Sequence, residues 1–231
     1  QPSEEGGGLP CGRRGARGMK ILGITGGSGS GKTTLLKLML GFYQPIEGEI
    51  TLNGIPIKRY SDSKWRRNCG VVMQEGYIFS DSLECNIGVV DEILEKVQNA
   101  VKTANIEDYV ESLPLRYDTK IGADGQGLST GQKQRILIAR AVYKDPAYIF
   151  FDEATNSLDA NNEKTIMDNM KLFFKDRTVV VVAHRLSTVK NADTIVVLEK
   201  GKIVEQGNHT ELIAHKGAYF NLVKDQLELG N

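Results

Sequence analysis

Nine consecutive residues, from Gly26 to Thr34, combine four glycines with serines, threonines and one lysine in the order GGSGSGKTT. Glycines let a backbone wrap closely around an anion with its N–H groups, and the ammonium of Lys32 adds a positive charge. The stretch matches the pattern G-x-x-x-x-G-K-[ST], so we expect it to cradle nucleotide phosphates, with the Thr33 hydroxyl on Mg²⁺. The residues expected to line this phosphate site are Gly26, Gly27, Ser28, Gly29, Ser30, Gly31, Lys32, Thr33 and Thr34.

Two acidic residues end the apolar run YIFFDE. In a parallel sheet, a carboxylate at the carboxyl end of a buried strand lies beside the phosphate loop. Asp152 therefore suits a contact with Mg²⁺, direct or through water, and Glu153 is placed to polarise an attacking water. The alternative is a solvated acidic turn, because Asp and Glu often follow strands.

Two further polar residues follow apolar runs that read as strands. Gln74 ends CGVVMQ, and His184 ends TVVVVAH. Both are expected at the sheet edge that carries the phosphate site, where an amide and an imidazole can sense the γ-phosphate and orient water; Gln74 is also a candidate Mg²⁺ ligand. The alternative for each is a hydrogen-bonded structural role.

The elements that must position these residues alternate along the chain. MKILGITG, CGVVMQ, AYIFFDEA and RTVVVVAH are typical of buried strands, and KTTLLKLMLGF and NNEKTIMDNMKLFF are typical of helices. DTIVVLEKGKIVEQG predicts two strands around a turn, and HTELIAHKGAYFNLVKDQL is predicted to be helical. The pattern indicates an α/β fold with a P-loop NTPase core, in which helices cover both faces of a mainly parallel sheet.

Two smaller parts interrupt this core. Asn53-Gly54 between apolar runs predicts a hairpin in a small antiparallel β part. Residues from about 82 to 144 are expected to form an inserted helical subdomain. In DEILEKVQNAVKTANI one helical face carries the apolar residues Ile93, Leu94, Val97, Ala100, Val101 and Ala104.

Composition narrows the classes of partner. The 231 residues carry 29 basic and 29 acidic side chains, which argues against a general polyanion binder, and so no nucleic-acid partner is expected. The three scattered cysteines fit neither a disulfide framework nor a zinc site. Residues 1–18, rich in Gly, Pro and Arg, are expected to be disordered or non-native, which leaves 19–231 as the domain.

A second candidate anion site opens the helix-like sequence LSTGQKQR. A Ser at a helix start leaves free backbone N–H groups, which attract anions together with the helix dipole. With the phosphate loop, FFDEATNSLD and the strand-ending His, this stretch resembles the nucleotide-binding domain of ATP-binding cassette (ABC) transporters, from Met19 onward. The residues that correspond to the signature motif of the family are Leu128, Ser129, Thr130, Gly131 and Gln132, with Thr130 in place of a glycine.

The resemblance implies a homodimer that sandwiches two ATP molecules with Mg²⁺. Two domains would pack head to tail, so that Ser129 and Gly131 meet the γ-phosphate held by the partner's loop. It implies that Glu153 is the catalytic base, His184 the switch histidine and Gln74 the lid glutamine. The residues that resemble the interfacial D-loop are Asn156, Ser157, Leu158 and Asp159.

One departure concerns adenine. The family usually stacks adenine on an aromatic residue upstream of the phosphate loop, whereas no Phe, Tyr or Trp precedes Phe42 here. The strands that normally precede this loop are also absent, so the β part is expected to be truncated at its N-terminal side. Lost stacking, worth about 1–3 kcal/mol in nucleic-acid sites, would weaken ATP affinity up to about a hundredfold.

Other stretches resemble exporters in particular. DTKIGADGQG resembles the T-x-x-G-x-x-G element that contacts a membrane domain, with Ala123 where Glu is frequent, and two runs resemble peptidase-containing bacteriocin exporters of the Bacteroidetes type. The resemblance implies a transmembrane domain that docks its coupling helices near Tyr77, Ile78 and Phe79, at the cytoplasmic face of the inner membrane; simple core packing is the alternative for those three. The exported substrate would be a peptide, a bacteriocin or a lipophilic molecule, and this fragment itself is expected to be soluble.

Alternatives from other classes remain open. A soluble ABC-type ATPase that does not serve transport usually carries two cassettes or a long coiled-coil insertion. A regulatory cassette without turnover typically lacks the glutamate or the histidine that this chain has as Glu153 and His184. A small-molecule kinase would explain the phosphate loop but neither LSTGQ nor NSLD.

Overall fold

The computed structural model of the protein describes residues 20–89, 93–153, 160–183 and 186–229. The expectation for residues 1–18 lies outside this range. So do the predictions for His184 and for the D-loop residues 156–159.

Within the described residues, eight strands form two sheets. The strands are β1 (Lys20–Gly26), β2 (Thr51–Leu52), β3 (Ile55–Pro56), β4 (Cys69–Val72), β5 (Tyr148–Asp152), β6 (Thr178–Val182), β7 (Thr194–Glu199) and β8 (Lys202–Gly207). The larger sheet has the order β4-β5-β6-β1-β7-β8, and all its neighbours are parallel except β7 and β8. The mainly parallel sheet is therefore confirmed.

The valine run of β6 explains why this sheet is covered on both faces. Val179 and Val181 belong to one hydrophobic cluster, whereas Val180 and Val182 belong to another. Successive side chains of a strand point to opposite faces, so alternate valines enter different cores. A run of apolar residues with no polar alternation is what such a doubly covered strand requires.

Ten α-helices complete the described fold. They are α1 (Lys32–Met39), α2 (Asp62–Arg67), α3 (Leu83–Gly88), α4 (Leu94–Thr103), α5 (Glu107–Ser112), α6 (Thr130–Tyr143), α7 (Ala160–Phe174), α8 (Leu186–Val189), α9 (His209–His215) and α10 (Ala218–Leu229). Within the described ranges, no helix is long and apolar enough to cross a bilayer.

The small antiparallel sheet is the predicted hairpin. Leu52 pairs with Ile55 across Asn53 and Gly54, whose φ angles are 51° and 79°. Two successive positive φ angles suit a tight hairpin turn, and Asn-Gly is the pair that adopts them most readily. In the part of the chain that the structure describes, this second sheet has two strands.

The structure adds detail to two stretches that the sequence predicts to be helical. The apolar face of α4 is buried from Val97 onward, whereas Ile93 precedes the helix as its N-cap and is 42% exposed, and Leu94 is 49% exposed. The C-terminal stretch is helical as predicted but forms two helices, since Lys216 takes a left-handed conformation (φ 53°) and ends α9 before Gly217.

Candidate functional site

The phosphate loop connects β1 to α1, and its glycines are required by geometry. Gly26 has φ 146°, and a Cβ there would lie 2.2 Å from the carbonyl oxygen of Leu198. Gly31 precedes α1 in a left-handed conformation (φ 101°). The first residue thus allows the loop to pass against β7, and the second starts the helix with its N–H groups open to an anion.

Lys32 turns back into this loop. Its Nζ donates hydrogen bonds to the carbonyl oxygens of Gly26 (3.0 Å) and Gly27 (2.9 Å). The side chain is buried, and burial lowers its pKa, while the nearby Glu153 and Asp152 oppose that shift. The ammonium therefore holds the loop closed around itself, and it must exchange these carbonyls for phosphate oxygens when an anion enters.

Thr33 and Asp152 meet at the base of the loop. The Thr33 hydroxyl donates to Oδ1 of Asp152 over 3.3 Å, and Asp152 is 2% exposed. Burial raises the pKa of this carboxyl; the Thr33 hydrogen bond and Lys32 lower it again, and Glu153 raises it. A hydroxyl and a carboxyl group that already converge fit a hard divalent cation such as Mg²⁺, which prefers oxygen ligands.

Glu153 follows β5 in a left-handed conformation, with φ 50°. Its backbone N–H donates to the carbonyl oxygen of Val182 over 2.9 Å, so the bend is tied to the end of β6. A glutamate in this conformation carries backbone strain, which is common where a side chain must point at a site.

An open cavity of about 440 Å³ lies between these groups. It is lined by Ser28, Gly29, Ser30, Gly31, Lys32, Thr33, Thr34, Gln74 and Glu153. The structure thus brings most of the predicted phosphate loop together with Glu153 and Gln74, and places Asp152 directly beneath them. Gln74 lies two residues beyond the end of β4 rather than at its end, and is exposed.

Two backbone contributors to the site were missed by sequence reasoning. Leu198 presents the carbonyl that Gly26 approaches, and the N–H of Gly201 donates to the carbonyl of Ser30 over 3.0 Å. Both come from the β7–β8 hairpin, which lies far along the chain. No local pattern signals a contact of this kind, because it depends on which strand pairs with β1.

The LSTGQ stretch starts α6 at a different place. Ser129 is the N-cap: its Oγ accepts from the N–H of Gln132 (3.2 Å), and Gln132 Oε1 accepts from the N–H of Ser129 (2.8 Å). Ser129 and Thr130 are exposed. Among the described residues that line the cavity, none comes from 128–132. A single chain therefore does not bring the start of α6 to the phosphate loop at the start of α1.

The segment after Gln74 divides into a surface part and a core part. Tyr77 and Phe79 are 56% and 44% exposed, and their rings pack edge to face with centroids 5.3 Å apart. Ile78 is fully buried in the core cluster. The expected three-residue groove is therefore wrong for Ile78, because neighbouring side chains point to opposite sides of this segment.

Comparisons with known proteins agree on one family. The protein-family model described as "ABC transporter" matches residues 16–156, which is more than half of the chain. A solved bacterial Atm1-family ABC exporter with ATP bound superposes with a TM-score of 0.87 at 38% identity, over 90% of this chain and 37% of the other.

Curated relatives are similar at the level of sequence. The chain is 46% identical over 213 residues to the toxin RTX-I translocation ATP-binding protein of Actinobacillus pleuropneumoniae, covering 90% of this chain and 30% of the relative. It is 46% identical over 205 residues to the α-hemolysin translocation protein HlyB of Escherichia coli, covering 87% and 29%. It is 42% identical over 209 residues to the ATP-dependent lipid A-core flippase of Saccharophagus degradans, covering 90% and 36%.

The chain spans about a third of the length of these relatives. The relatives named above are toxin-translocation proteins and a lipid flippase, and they do not confirm the more specific likeness to Bacteroidetes bacteriocin exporters. The α/β P-loop fold, the converging phosphate site and the family match lead to one conclusion: the chain belongs to the ABC transporter family.

Proposed function

We propose that this chain is the ATP-binding and ATP-hydrolysing motor domain of an ABC exporter. The observation that carries the proposal is the division of the site. A cavity with a phosphate loop and a carboxylate lies in one place, and an exposed, capped signature helix lies elsewhere on the same chain. A single chain would then bind the nucleotide without a contact from the signature helix to its γ-phosphate. A second copy of the chain would supply that contact.

Within the cavity the backbone N–H groups of the loop bind the phosphates of ATP. Lys32 leaves the carbonyls of Gly26 and Gly27 and reaches the β- and γ-phosphates. Thr33, Asp152 and Gln74 would hold Mg²⁺, which neutralises charge on the phosphate oxygens when it is bound. The pair already formed by Thr33 and Asp152 is the support for this assignment.

Glu153 is the proposed catalytic base. It lies on the wall of the cavity and follows the strand that ends in Asp152. A carboxylate there accepts the proton of a water that attacks the γ-phosphorus in line with the leaving ADP. The hydrogen bond from Glu153 N–H to the Val182 carbonyl fixes the backbone from which this side chain extends.

The working unit in this proposal is a head-to-tail homodimer. Ser129 and Gly131 of one protomer, at the exposed start of α6, bind the γ-phosphate held by the other protomer. By the family resemblance, residues 156–159 would belong to the same interface and His184 would act on the γ-phosphate; both lie outside the described residues. ATP then joins the two protomers, and hydrolysis lets them separate.

Export is proposed on the strength of the relatives. A toxin-translocation protein and a lipid flippase are similar to this chain at 46% and 42% identity, so the motor alone does not select the cargo. We favour a peptide or protein substrate, including a bacteriocin, because two of the three relatives named above translocate toxins. A transmembrane domain of the same exporter would dock its coupling helices beside Tyr77 and Phe79 and would keep the motor at the cytoplasmic face of the inner membrane. Within the motor, residues 82–144 form the proposed helical subdomain.

Light scattering after size exclusion tests the proposal. Glu153→Gln removes the base, so Mg-ATP should trap a dimer that ADP does not support. Ser129→Arg in the same background should return the protein to monomer while ATP still binds. A Glu153→Gln protein that binds ATP and stays monomeric at every protein concentration would contradict the head-to-tail assignment.

A further inference from the structure

The turn between β7 and β8 contacts the phosphate loop through one backbone group. Its two central residues, Lys200 and Gly201, have φ angles of 49° and 77°. They lie between Glu199 and Lys202, which pair across the hairpin. Two positive φ angles suit a type I′ turn, which is closed by hydrogen bonds between the flanking residues. The N–H of Gly201 is thus available to a group outside the hairpin, and it donates to the carbonyl oxygen of Ser30 over 3.0 Å.

The acceptor of this hydrogen bond belongs to the peptide unit that joins Ser30 to Gly31. In a planar trans peptide, the carbonyl and the N–H point in opposite directions. Because the Ser30 carbonyl is held against the β7–β8 turn, the N–H of Gly31 is directed away from that turn. Gly31 is the N-cap of α1 and lines the cavity, so its N–H is one of the donors proposed to bind phosphate.

A second contact from the same hairpin holds the beginning of the loop. Leu198 of β7 is the strand partner of Gly26, and its carbonyl oxygen lies 2.2 Å from the position that a Cβ on Gly26 would take. The hairpin therefore contacts the loop at Gly26, where it leaves β1, and again at Ser30, just before α1. Ser30 is 5% exposed, so little water competes for its carbonyl.

The hydrogen bond from Gly201 differs from those of Lys32 in what an anion does to it. Nζ of Lys32 donates to the carbonyl oxygens of Gly26 and Gly27, and these bonds must be exchanged for phosphate oxygens when an anion enters. The Gly201 N–H bonds the carbonyl side of the peptide whose N–H side is directed away from the turn. An anion in the cavity therefore does not have to displace it.

Glycine at position 201 is required by the backbone conformation and not by lack of space. A Cβ there would meet nothing within 4 Å, but a φ of 77° lies in the left-handed region. Side chains that branch at Cβ are disfavoured most in this region, whereas asparagine tolerates it. Valine at this position would therefore distort the turn without a collision, and asparagine would largely preserve it.

We propose that Gly201 is a positioning residue for ATP binding, whose N–H orients the Ser30–Gly31 peptide so that the Gly31 N–H faces the phosphates. This role rests on the proposed function, because it takes the phosphate loop as the ATP site. Gly201 itself does not touch the nucleotide. It presets a donor that ATP would otherwise have to order on binding, so its loss affects ATP affinity and not the hydrolysis step.

Gly201→Val tests this role, and Gly54→Val is its matched control. The Asn53-Gly54 turn has φ angles of 51° and 79°, and a Cβ at Gly54 also meets nothing within 4 Å. The same substitution thus strains two hairpin turns of one kind, of which the β7–β8 turn is bonded to the phosphate loop. Binding of Mg-ATP, steady-state hydrolysis and the melting temperature are measured for both variants and for Gly201→Asn.

We expect Gly201→Val to raise Kd and KM for ATP about tenfold and to change kcat by less than about threefold. Gly54→Val should keep the ATP affinity of the parent even where its melting temperature falls as far, and Gly201→Asn should bind ATP more tightly than Gly201→Val. Unchanged ATP affinity in Gly201→Val, or an equal loss in Gly54→Val, would overturn the role, and so would a fall in kcat at unchanged KM. If Gly201→Val does not fold, Gly201→Ala takes its place, because it brings left-handed strain without a branched side chain.

A measurement without nucleotide separates this role from the proposed function. The N–H of Ser30 donates to the carbonyl oxygen of Gly27 over 3.2 Å, so amide hydrogen exchange over residues 27–34 reports the order of the loop. Exchange in this segment should be about tenfold faster in Gly201→Val than in the parent, and unchanged in Gly54→Val. Equal exchange in the parent and Gly201→Val would overturn the positioning role. If the parent binds no ATP, the proposed function fails, while this comparison still decides whether Gly201 orders the loop.

Discussion

The N-terminal ends of α1 and α6, the two helix starts predicted to bind anions, differ in how their backbone N–H groups are surrounded. The start of α1 has no side-chain cap; its loop is filled by the buried ammonium of Lys32 and packs against Leu198 of β7 and against Gly201 in the turn after it. The start of α6 is capped by its own Ser129 and Gln132 and lies exposed. The first end is therefore a pocket with room for a ligand, and the second is an exposed surface, to which our proposal gives the role of completing a partner's site.

Removing the base should give the largest loss at the first end. Glu153→Gln is expected to lower ATP turnover by about 100- to 10,000-fold, the usual range for general base catalysis, while ATP affinity is retained. Phosphate release under saturating Mg-ATP measures turnover, and nucleotide binding by fluorescence provides the control. Turnover within a few fold of the parent would remove Glu153 from the reaction.

A methyl group added at Gly26 in the phosphate loop should abolish the binding of ATP, and not only its hydrolysis. Gly26→Ala places a Cβ 2.2 Å from the Leu198 carbonyl at a φ of 146°, so the loop or β7 must move. We expect loss of detectable ATP binding, together with a lower melting temperature. Gly27→Ala is the matched control, because an added Cβ there meets nothing within 4 Å; equal behaviour of the two variants would contradict the packing argument.

Asp152→Asn should change the stability of the fold and the binding of Mg²⁺ in opposite directions. Burial raises the pKa of this carboxyl, so folding disfavours its charged form. By linkage, the parent loses stability as the pH rises from the unfolded pKa of Asp152 to its raised folded pKa, and this loss should disappear in the asparagine variant. We expect a higher melting temperature at pH 7 without nucleotide and a weaker effect of Mg²⁺ on ATP affinity.

The opposite outcome has a clear meaning for Asp152. A lower melting temperature across the whole pH range would show that the carboxylate is held mainly by Thr33 and Lys32, and that burial does not decide its state.

The smallest effect on dimerisation and turnover is expected for a substitution of Thr130, at the start of α6. Its side chain adds a Cβ and a hydroxyl to the exposed start of α6. Thr130→Gly restores the residue common in the family, and we expect dimerisation and turnover to change by no more than a few fold, since Ser129 and the helix N–H groups remain. A complete loss of dimer in this variant would assign Thr130 an essential contact.

The sequence predicted those parts of the site that lie within one local stretch. The glycine pattern marked the phosphate loop, and the polar residues after apolar runs marked Asp152 and Glu153. The contacts from Leu198 and Gly201 were not predictable, because they depend on which strand becomes the neighbour of β1. The boundary between α9 and α10 was not predicted either, although Gly217 follows Lys216 directly and glycine often marks a helix end.

Mixing two inactive variants tests the central claim most directly. Ser129→Arg keeps an intact phosphate loop and loses its signature, whereas Lys32→Ala keeps its signature and loses the loop. Each alone should lack ATPase activity, and a mixed dimer should contain one complete site, because each site takes its two halves from different chains. The account predicts that activity returns on mixing and is greatest near equal amounts. Activity that stays absent at every ratio, while both variants remain folded, would contradict a site shared between two chains.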